Sequence, residues 1–125
     1  MQPDERDASA AQWHSAQCHC GRVRFEFFSN IDAAVECNCS YCSRKAALHH
    51  RVPEDAFRLI EGEGALAEYR FGSLRARHYF CSTCGIHTHC RPRSAPEQVN
   101  VNLNCAVDRT LQPAHVRQYD GLSWQ

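Results

Sequence analysis

The stretch Phe80-Cys81-Ser82-Thr83-Cys84-Gly85 decides how the rest of the chain is interpreted, because its two cysteines stand three positions apart just before a glycine. That spacing lets two sulfurs reach one metal ion, and glycine readily adopts the positive φ that such a tight turn needs. A tetrahedral zinc site needs two more ligands from elsewhere in the chain. The stretch therefore predicts one half of a metal site.

Two other groups of cysteines can supply the missing ligands. One is Cys18-His19-Cys20-Gly21, and the other is Cys37-Asn38-Cys39-Ser40-Tyr41-Cys42. The seven clustered cysteines cannot fill two four-sulfur sites, so one closed site leaves three over. If the first group completes the site, Cys37, Cys39 and Cys42 remain as a three-ligand group. The spacing also permits the first and second groups to pair with each other.

Disulfides are the main alternative use for nine cysteines in 125 residues. The N-terminal sequence Met1-Gln2-Pro3-Asp4-Glu5-Arg6-Asp7 has no apolar core typical of a signal peptide, which favours the cytoplasm and reduced thiols. No apolar stretch approaches the roughly 20 residues of a membrane span. We therefore interpret the clusters as metal ligands. Zinc is favoured because the clusters lack ferredoxin spacing, and a redox pair is disfavoured because no βαβ pattern surrounds it.

The hydrophobic pattern predicts one all-β domain over residues 13–125, preceded by a flexible polar tail over 1–12. Val23, Phe25 and Phe27 alternate with charged residues, which is the period of a strand with one buried face. A single helical turn is predicted at 53–56, where proline suits the first position. Further strands are predicted over 46–52, 57–60, 69–71, 77–80, 99–103 and 115–119.

The charge of the chain limits its partners. Lys+Arg and Asp+Glu number 14 each, so the net charge is zero, which argues against nucleic acid or an anionic membrane as a general partner. Arginine makes up 13 of the 14 basic residues, so a zinc scaffold that binds protein or nucleic acid stays an alternative. A second alternative is a sensor whose three-cysteine group oxidises and releases its metal.

Taken together, the motifs resemble the glutathione-dependent formaldehyde-activating enzyme family. The resemblance runs from about Cys18 to Trp124 and is carried by the three cysteine groups and by the residues 21–26 that follow the first of them. Other stretches are closer still to the centromere-protein-V-like branch of that family. They are the sequence 78–87, Pro92-Arg93-Ser94, Asn102-x-Asn104-Cys105 and the ending Asp120-Gly121-x-Ser123-Trp124.

This resemblance implies a β-tent of short antiparallel sheets with two zinc ions per chain. It assigns four cysteines to a structural site, namely Cys18, Cys20, Cys81 and Cys84. It assigns three cysteines to a catalytic site, namely Cys37, Cys39 and Cys42. The implied activity joins glutathione, the small-molecule partner, to formaldehyde and gives S-(hydroxymethyl)glutathione, which is carbon–sulfur lyase chemistry in the formal direction. Members of the branch are also expected to act on other thiol adducts or to have no catalytic role.

The chemistry of three thiolates agrees with a site that binds a thiol. A zinc ion with three protein ligands keeps a fourth position, and three thiolates bring its formal charge to −1. Such an ion is a weak Lewis acid that suits a fourth, soft sulfur, and a coordinated thiol loses its proton. The alternative is a site closed by a residue of this chain. The residues with suitable chemistry are His49, His50, Cys90 and Cys105.

Three residues near the catalytic cysteines are candidates for contacts with the substrate. They are Tyr41, Arg44 and His49, and the guanidinium of Arg44 suits a substrate carboxylate. A solvated surface arginine is an equally good interpretation of Arg44. His19 is expected to point away from the metal, and the isolated Cys90 and Cys105 are expected to be small buried residues.

Overall fold

The computed structural model describes residues 11–72 and 74–124, and these form a mostly β domain with ten short strands. The strands are β1 Gln12–Gln17, β2 Arg24–Ser29, β3 Ala33–Cys37, β4 His49–Pro53, β5 Phe57–Glu61, β6 Leu66–Tyr69, β7 Arg77–Cys81, β8 His87–Arg91, β9 Gln98–Asn102 and β10 His115–Tyr119. Helix α1 spans Ser40–Lys45, and single 3-10 turns lie at Glu54–Ala56, Glu63–Ala65, Leu103–Cys105 and Leu122–Trp124. Among the described residues, no helix has the length and apolar character that a membrane crossing requires.

The strands form two sheets. Three strands pair antiparallel in the order β1-β2-β5, and seven pair in the order β10-β3-β4-β9-β8-β7-β6. Every neighbouring pair is antiparallel except β10, which runs parallel to β3. A parallel neighbour needs a long connection, and here the chain passes through β4 to β9 before it returns. The fold class expected from the sequence is confirmed, with this one parallel pair as an addition.

The alternating pattern around β2 is confirmed. Val23, Phe25 and Phe27 are 0%, 1% and 0% exposed, so the predicted inward face is fully buried. Phe25 and Phe27 belong to the main core, where they are joined by valines of β4 and β9, including Val99 and Val101. Burying each such side chain contributes roughly 1.5–3 kcal/mol, so this face is a main source of stability.

The strand predicted over 46–52 begins later than expected. Helix α1 continues to Lys45, and Ala46 adopts a left-handed conformation with φ 53° while its N–H bonds to the carbonyl of Cys42 at 2.9 Å. This cap stops the helix and delays β4 to His49. Left-handed caps usually contain glycine, so an alanine here gave no signal in the sequence.

Other predicted boundaries are close to those observed. The turn at Glu54–Ala56 and the strands β5 and β10 lie where they were expected. The strand predicted over 69–71 lies earlier, at Leu66–Tyr69, so that only Tyr69 belongs to both. Leu103 begins a 3-10 turn instead of ending β9. Of the predicted tail, residues 1–10 lie outside the described residues, and its last residue, Gln12, begins β1.

We expect Gly62→Ala to destabilise the domain by about 2–4 kcal/mol, from strain and steric overlap together. Gly62 has φ 96°, and a Cβ there would lie 2.2 Å from the carbonyl oxygen of Arg22. Gly64→Ala is the matched control, because a Cβ at that position meets no atom within 4 Å. Urea unfolding followed by circular dichroism measures both variants. Equal stability of the two would show that Gly62 does not set this close approach.

Candidate metal centre

Four cysteine sulfurs meet where the segment after β1 approaches the end of β7. The Sγ atoms of Cys18, Cys20, Cys81 and Cys84 lie within 4.8 Å of one another. Cys20 Sγ is 3.7 Å from both Cys18 Sγ and Cys81 Sγ. Tetrahedral geometry with Zn–S bonds near 2.3 Å requires roughly 3.8 Å between sulfurs. The four thiols therefore fit a closed zinc site.

Backbone N–H groups around this group point at the sulfurs. The N–H of Val23 donates to Cys18 Sγ at 3.4 Å, and the N–H of Thr83 donates to Cys81 Sγ at 3.3 Å. Burial raises the pKa of Cys84, but the N–H groups of Cys20 and Ile86 and the neighbouring thiols together lower it to about 6. The surroundings of Cys84 therefore stabilise its thiolate, which is the form that binds metal.

A second group contains three sulfurs and lies between β3 and α1. The Sγ atoms of Cys37, Cys39 and Cys42 lie within 4.8 Å of one another. Cys37 ends β3, and Cys39 caps α1 by accepting a hydrogen bond at Sγ from the N–H of Cys42 at 3.2 Å. Burial raises the pKa of Cys39, but that N–H and the adjacent thiols outweigh it and lower the pKa. The spacing thus brings three thiols together through a strand end and one helical turn.

The segment after β10 lies directly over this three-thiol group. Asn38 holds it there, because its N–H donates to Tyr119 O at 3.1 Å and its Nδ2 donates to Asp120 Oδ1 at 3.0 Å. Its Oδ1 also accepts from the N–H of Leu122 at 2.9 Å. A Cβ at Gly121 would lie 2.6 Å from Cys37 Sγ. The residues that follow β10, from Asp120 to Leu122, therefore cover one side of the three thiols.

His49 is the histidine nearest to the three thiols. It is buried, and its Nε2 lies 3.4 Å from Cys42 Sγ. Burial, followed by the charge of Lys45, lowers the pKa of His49 to about 4, so the ring is neutral at pH 7. Its Nδ1 is buried without a hydrogen-bond partner among the described residues. His49 is therefore the predicted candidate that does reach the three-thiol group.

The other residues considered as closing ligands have different partners. His50 lies 2.6 Å from both Ser29 Oγ and Ala33 O, and Cys105 Sγ donates to His87 O at 3.4 Å. Cys90 is buried, as predicted for it and for Cys105, and forms a third group within 4.8 Å with His49 and His87. These contacts orient His50 and Cys105 toward partners other than the three thiols.

Lys45 lies close to the three-thiol group, and the sequence analysis did not select it. Its ammonium lies 3.3 Å from His78 Nδ1 and 3.3 Å from both ring nitrogens of His87, and it lies 4.1 Å from the centre of the Tyr41 ring. A positive charge at this distance from His87 opposes a metal ion in the third group. The three thiols thus have the positive charge of Lys45 beside them.

Tyr41 and Arg44, the two other candidates for substrate contacts, face different surroundings. Tyr41 lies in an aromatic cluster with Tyr69, Phe71 and His78, with ring centres 4.6–5.5 Å from its own. Arg44 is exposed and its guanidinium donates to Ser40 O at 2.7 Å. His19 is exposed between Cys18 and Cys20, as expected for a residue that points away from the sulfurs.

Comparison with known proteins identifies the family. The sequence profile of the glutathione-dependent formaldehyde-activating enzyme matches residues 13–119, which is most of the chain. The chain belongs to this family. Membership in the glutathione-dependent formaldehyde-activating enzymes supports a function that involves glutathione and the activation of formaldehyde. It confirms the resemblance to the family, while the centromere-protein-V-like branch stays an inference from the motifs.

A solved structure has the same fold. The crystal structure of a Rhodobacter sphaeroides protein is 34% identical in sequence and superimposes with a TM-score of 0.73. The match covers 83% of this chain and 98% of that protein. The fold is therefore shared with a solved structure that this chain matches over nearly the whole length of that protein.

We expect Cys81→Ser and Cys39→Ser to have different effects on stability. Cys81→Ser weakens a group that joins distant segments, so its melting temperature should fall by at least about 10 °C. Cys39→Ser changes a group formed by one local segment, so its melting temperature should fall by less than about 3 °C. Differential scanning fluorimetry measures both, and elemental analysis should give two zinc ions in the wild type and one in Cys39→Ser.

Two results would contradict this assignment. Equally severe unfolding of the two variants would mean that both groups are structural. One zinc ion or fewer in the wild-type protein, purified without chelators, would remove the second site.

Proposed function

We propose that this chain is a zinc-dependent enzyme that adds the thiol of glutathione to formaldehyde. The product is S-(hydroxymethyl)glutathione, and the formal reverse reaction is a carbon–sulfur lyase reaction. The observation that carries the proposal is a separate group of three thiols, Cys37, Cys39 and Cys42, in a member of the glutathione-dependent formaldehyde-activating enzyme family. Three ligands are the number that a catalytic zinc site takes from a protein, whereas structural sites take four.

The two groups of thiols have separate tasks in this proposal. Cys18, Cys20, Cys81 and Cys84 hold a structural zinc ion, and their 3.7 Å sulfur spacing supports that task. The three-thiol group holds the second ion. When bound there, zinc supplies a coordination position that accepts a fourth sulfur and favours the thiolate form of that sulfur.

The residues around the three-thiol group determine how a substrate reaches it. Cys39 and Cys42 are buried, whereas Cys37 and Tyr41 are partly exposed. Glutathione therefore approaches from the side of Cys37 and Tyr41, next to the segment that Asn38 holds in place. The guanidinium of Arg44 is exposed on the same helix and donates to Ser40 O, which is the arrangement of a surface arginine rather than of a substrate contact.

On the side that faces the protein interior, the three-thiol group is flanked by buried histidines that are neutral at pH 7. His49 contacts Cys42, and burial followed by the charge of Lys45 lowers the pKa of His78 to about 3 and that of His87 further still. These rings accept hydrogen bonds but carry no charge at pH 7. The Lys45 ammonium is therefore the positive charge that this chain places beside the sulfurs.

We expect glutathione to bind the zinc-loaded protein at least tenfold more tightly than S-methylglutathione. A methylated sulfur cannot become a thiolate and coordinates a metal weakly, although the rest of the molecule is the same. Isothermal titration calorimetry measures both affinities. Product formation is followed by NMR with ¹³C-formaldehyde after subtraction of the spontaneous reaction, with Cys39→Ser as the inactive control.

Different outcomes of this experiment point to different alternatives. Equal affinity for the two peptides would remove metal–sulfur binding from the proposal. Absence of binding by both, together with no product above the spontaneous rate, would favour the non-catalytic scaffold.

A further inference from the structure

Lys45 is the only lysine of the chain, and its half-buried side chain reaches from the end of α1 to two buried histidines. The preceding residue, Arg44, is exposed on the same helix. The ammonium of Lys45 lies against the rings of His78 and His87, which are 5% and 6% exposed. Two adjacent basic residues thus differ in their surroundings, since Arg44 is exposed and Lys45 is half-buried.

No ion pair among the described residues provides Lys45 with a carboxylate. Burial lowers its pKa, and the groups that oppose this are thiols, with Cys42 first, followed by Cys90, Cys39 and Cys37. A charge that is removed from water without a partner is costly. The negative charge that offsets this cost is that of the three-thiol group. Three thiolates and one divalent ion carry −1 together, which the single ammonium balances.

The hydrogen bonds of Lys45 leave room for one more acceptor. An ammonium has three N–H donors, and the rings of His78 and His87 accept two of them. The third N–H has only the face of the Tyr41 ring, whose centre lies 4.1 Å from the ammonium. An aromatic ring is a weaker acceptor than an oxygen atom. Lys45 therefore offers a charged donor to a small oxygen-containing ligand beside the sulfurs.

We infer that Lys45 is a catalytic residue that binds the aldehyde oxygen and stabilises the negative charge that forms on it. This inference rests on the proposed function. In the reaction, the thiolate sulfur of glutathione forms a bond to the carbonyl carbon, and the π pair of the C=O bond moves to oxygen. The alkoxide takes a proton from water, and the hydroxide is neutralised by the proton that the thiol released. Lys45 stays charged and donates a hydrogen bond to the oxygen throughout.

The surroundings of Lys45 suit this role. Its ammonium lies against the buried rings of His78 and His87, and burial lowers its pKa. Charge interactions of an ammonium strengthen where water is excluded.

The test compares Lys45→Met with its exposed neighbour Arg44→Met in the zinc-loaded full chain. We expect kcat/KM for formaldehyde to fall about 100-fold in Lys45→Met, as for the loss of other oxyanion donors. The affinity for glutathione should change less than about twofold, because the sulfur contacts remain. The control Arg44→Met should lose less than about threefold in kcat/KM for formaldehyde. A loss below threefold in folded Lys45→Met, with an active wild type, would overturn the inference and leave the proposed function standing.

Formate tests the oxygen site without turnover. It resembles formaldehyde in size and carries a negative charge, and because the chain has one lysine, its ¹³Cε resonance is assigned without ambiguity. We expect formate to shift this resonance in a saturable way in the wild type, and to bind at least tenfold more weakly to Lys45→Met than to Arg44→Met. Absence of a shift would overturn the inference, even if Lys45→Met does not fold. If the wild type makes no product, the proposed function fails and the formate titration alone decides the role of Lys45.

Discussion

The meeting of four sulfurs from segments that lie 61 residues apart is the constraint on which the rest of the domain depends. Cys18 and Cys20 lie between the two strands β1 and β2 of the smaller sheet, whereas Cys81 ends β7 of the larger sheet. Only a few apolar residues pack around these sulfurs, among them Val23 and Ala65. A small domain buries limited apolar area, so a cross-link at this point contributes to holding the two sheets together.

The second group of sulfurs differs from the first in its electrostatic surroundings. Backbone N–H groups donate to sulfurs of both groups, but the three-thiol group also has a lysine beside it, held by neutral histidines. The fixed dipoles of backbone N–H groups suit a group of thiolates whose charge stays constant. A nearby ammonium suits a centre where negative charge appears and disappears, because it interacts with whatever oxygen or sulfur carries that charge. The two groups therefore differ in chemistry as well as in the number of sulfurs.

Local patterns predicted the parts of the structure that depend on neighbours in sequence. The alternation of Val23, Phe25 and Phe27 gave the buried face around β2. The cysteine spacings gave three clusters, and the resemblance to the family gave their division into the two observed sulfur groups. The end of α1 at Ala46 was missed, because the left-handed cap uses no glycine. The contacts of Lys45 were not predicted from the sequence either, for another reason. Its histidines, His78 and His87, come from β7 and β8, so no spacing along the chain relates them to α1.

The position of Gly121 against Cys37 gives the two sulfur groups an order of assembly during synthesis. The chain is made from its N-terminus, so all four residues of the first group exist once Cys84 has been added. The segment that covers the second group is completed only 37 residues later, at Gly121. At about 5–20 residues per second, this interval lasts about 2–7 s. During it, the four thiols of the first group can already come together while Cys37, Cys39 and Cys42 are still without their cover, open to metal carriers and oxidants of the cell.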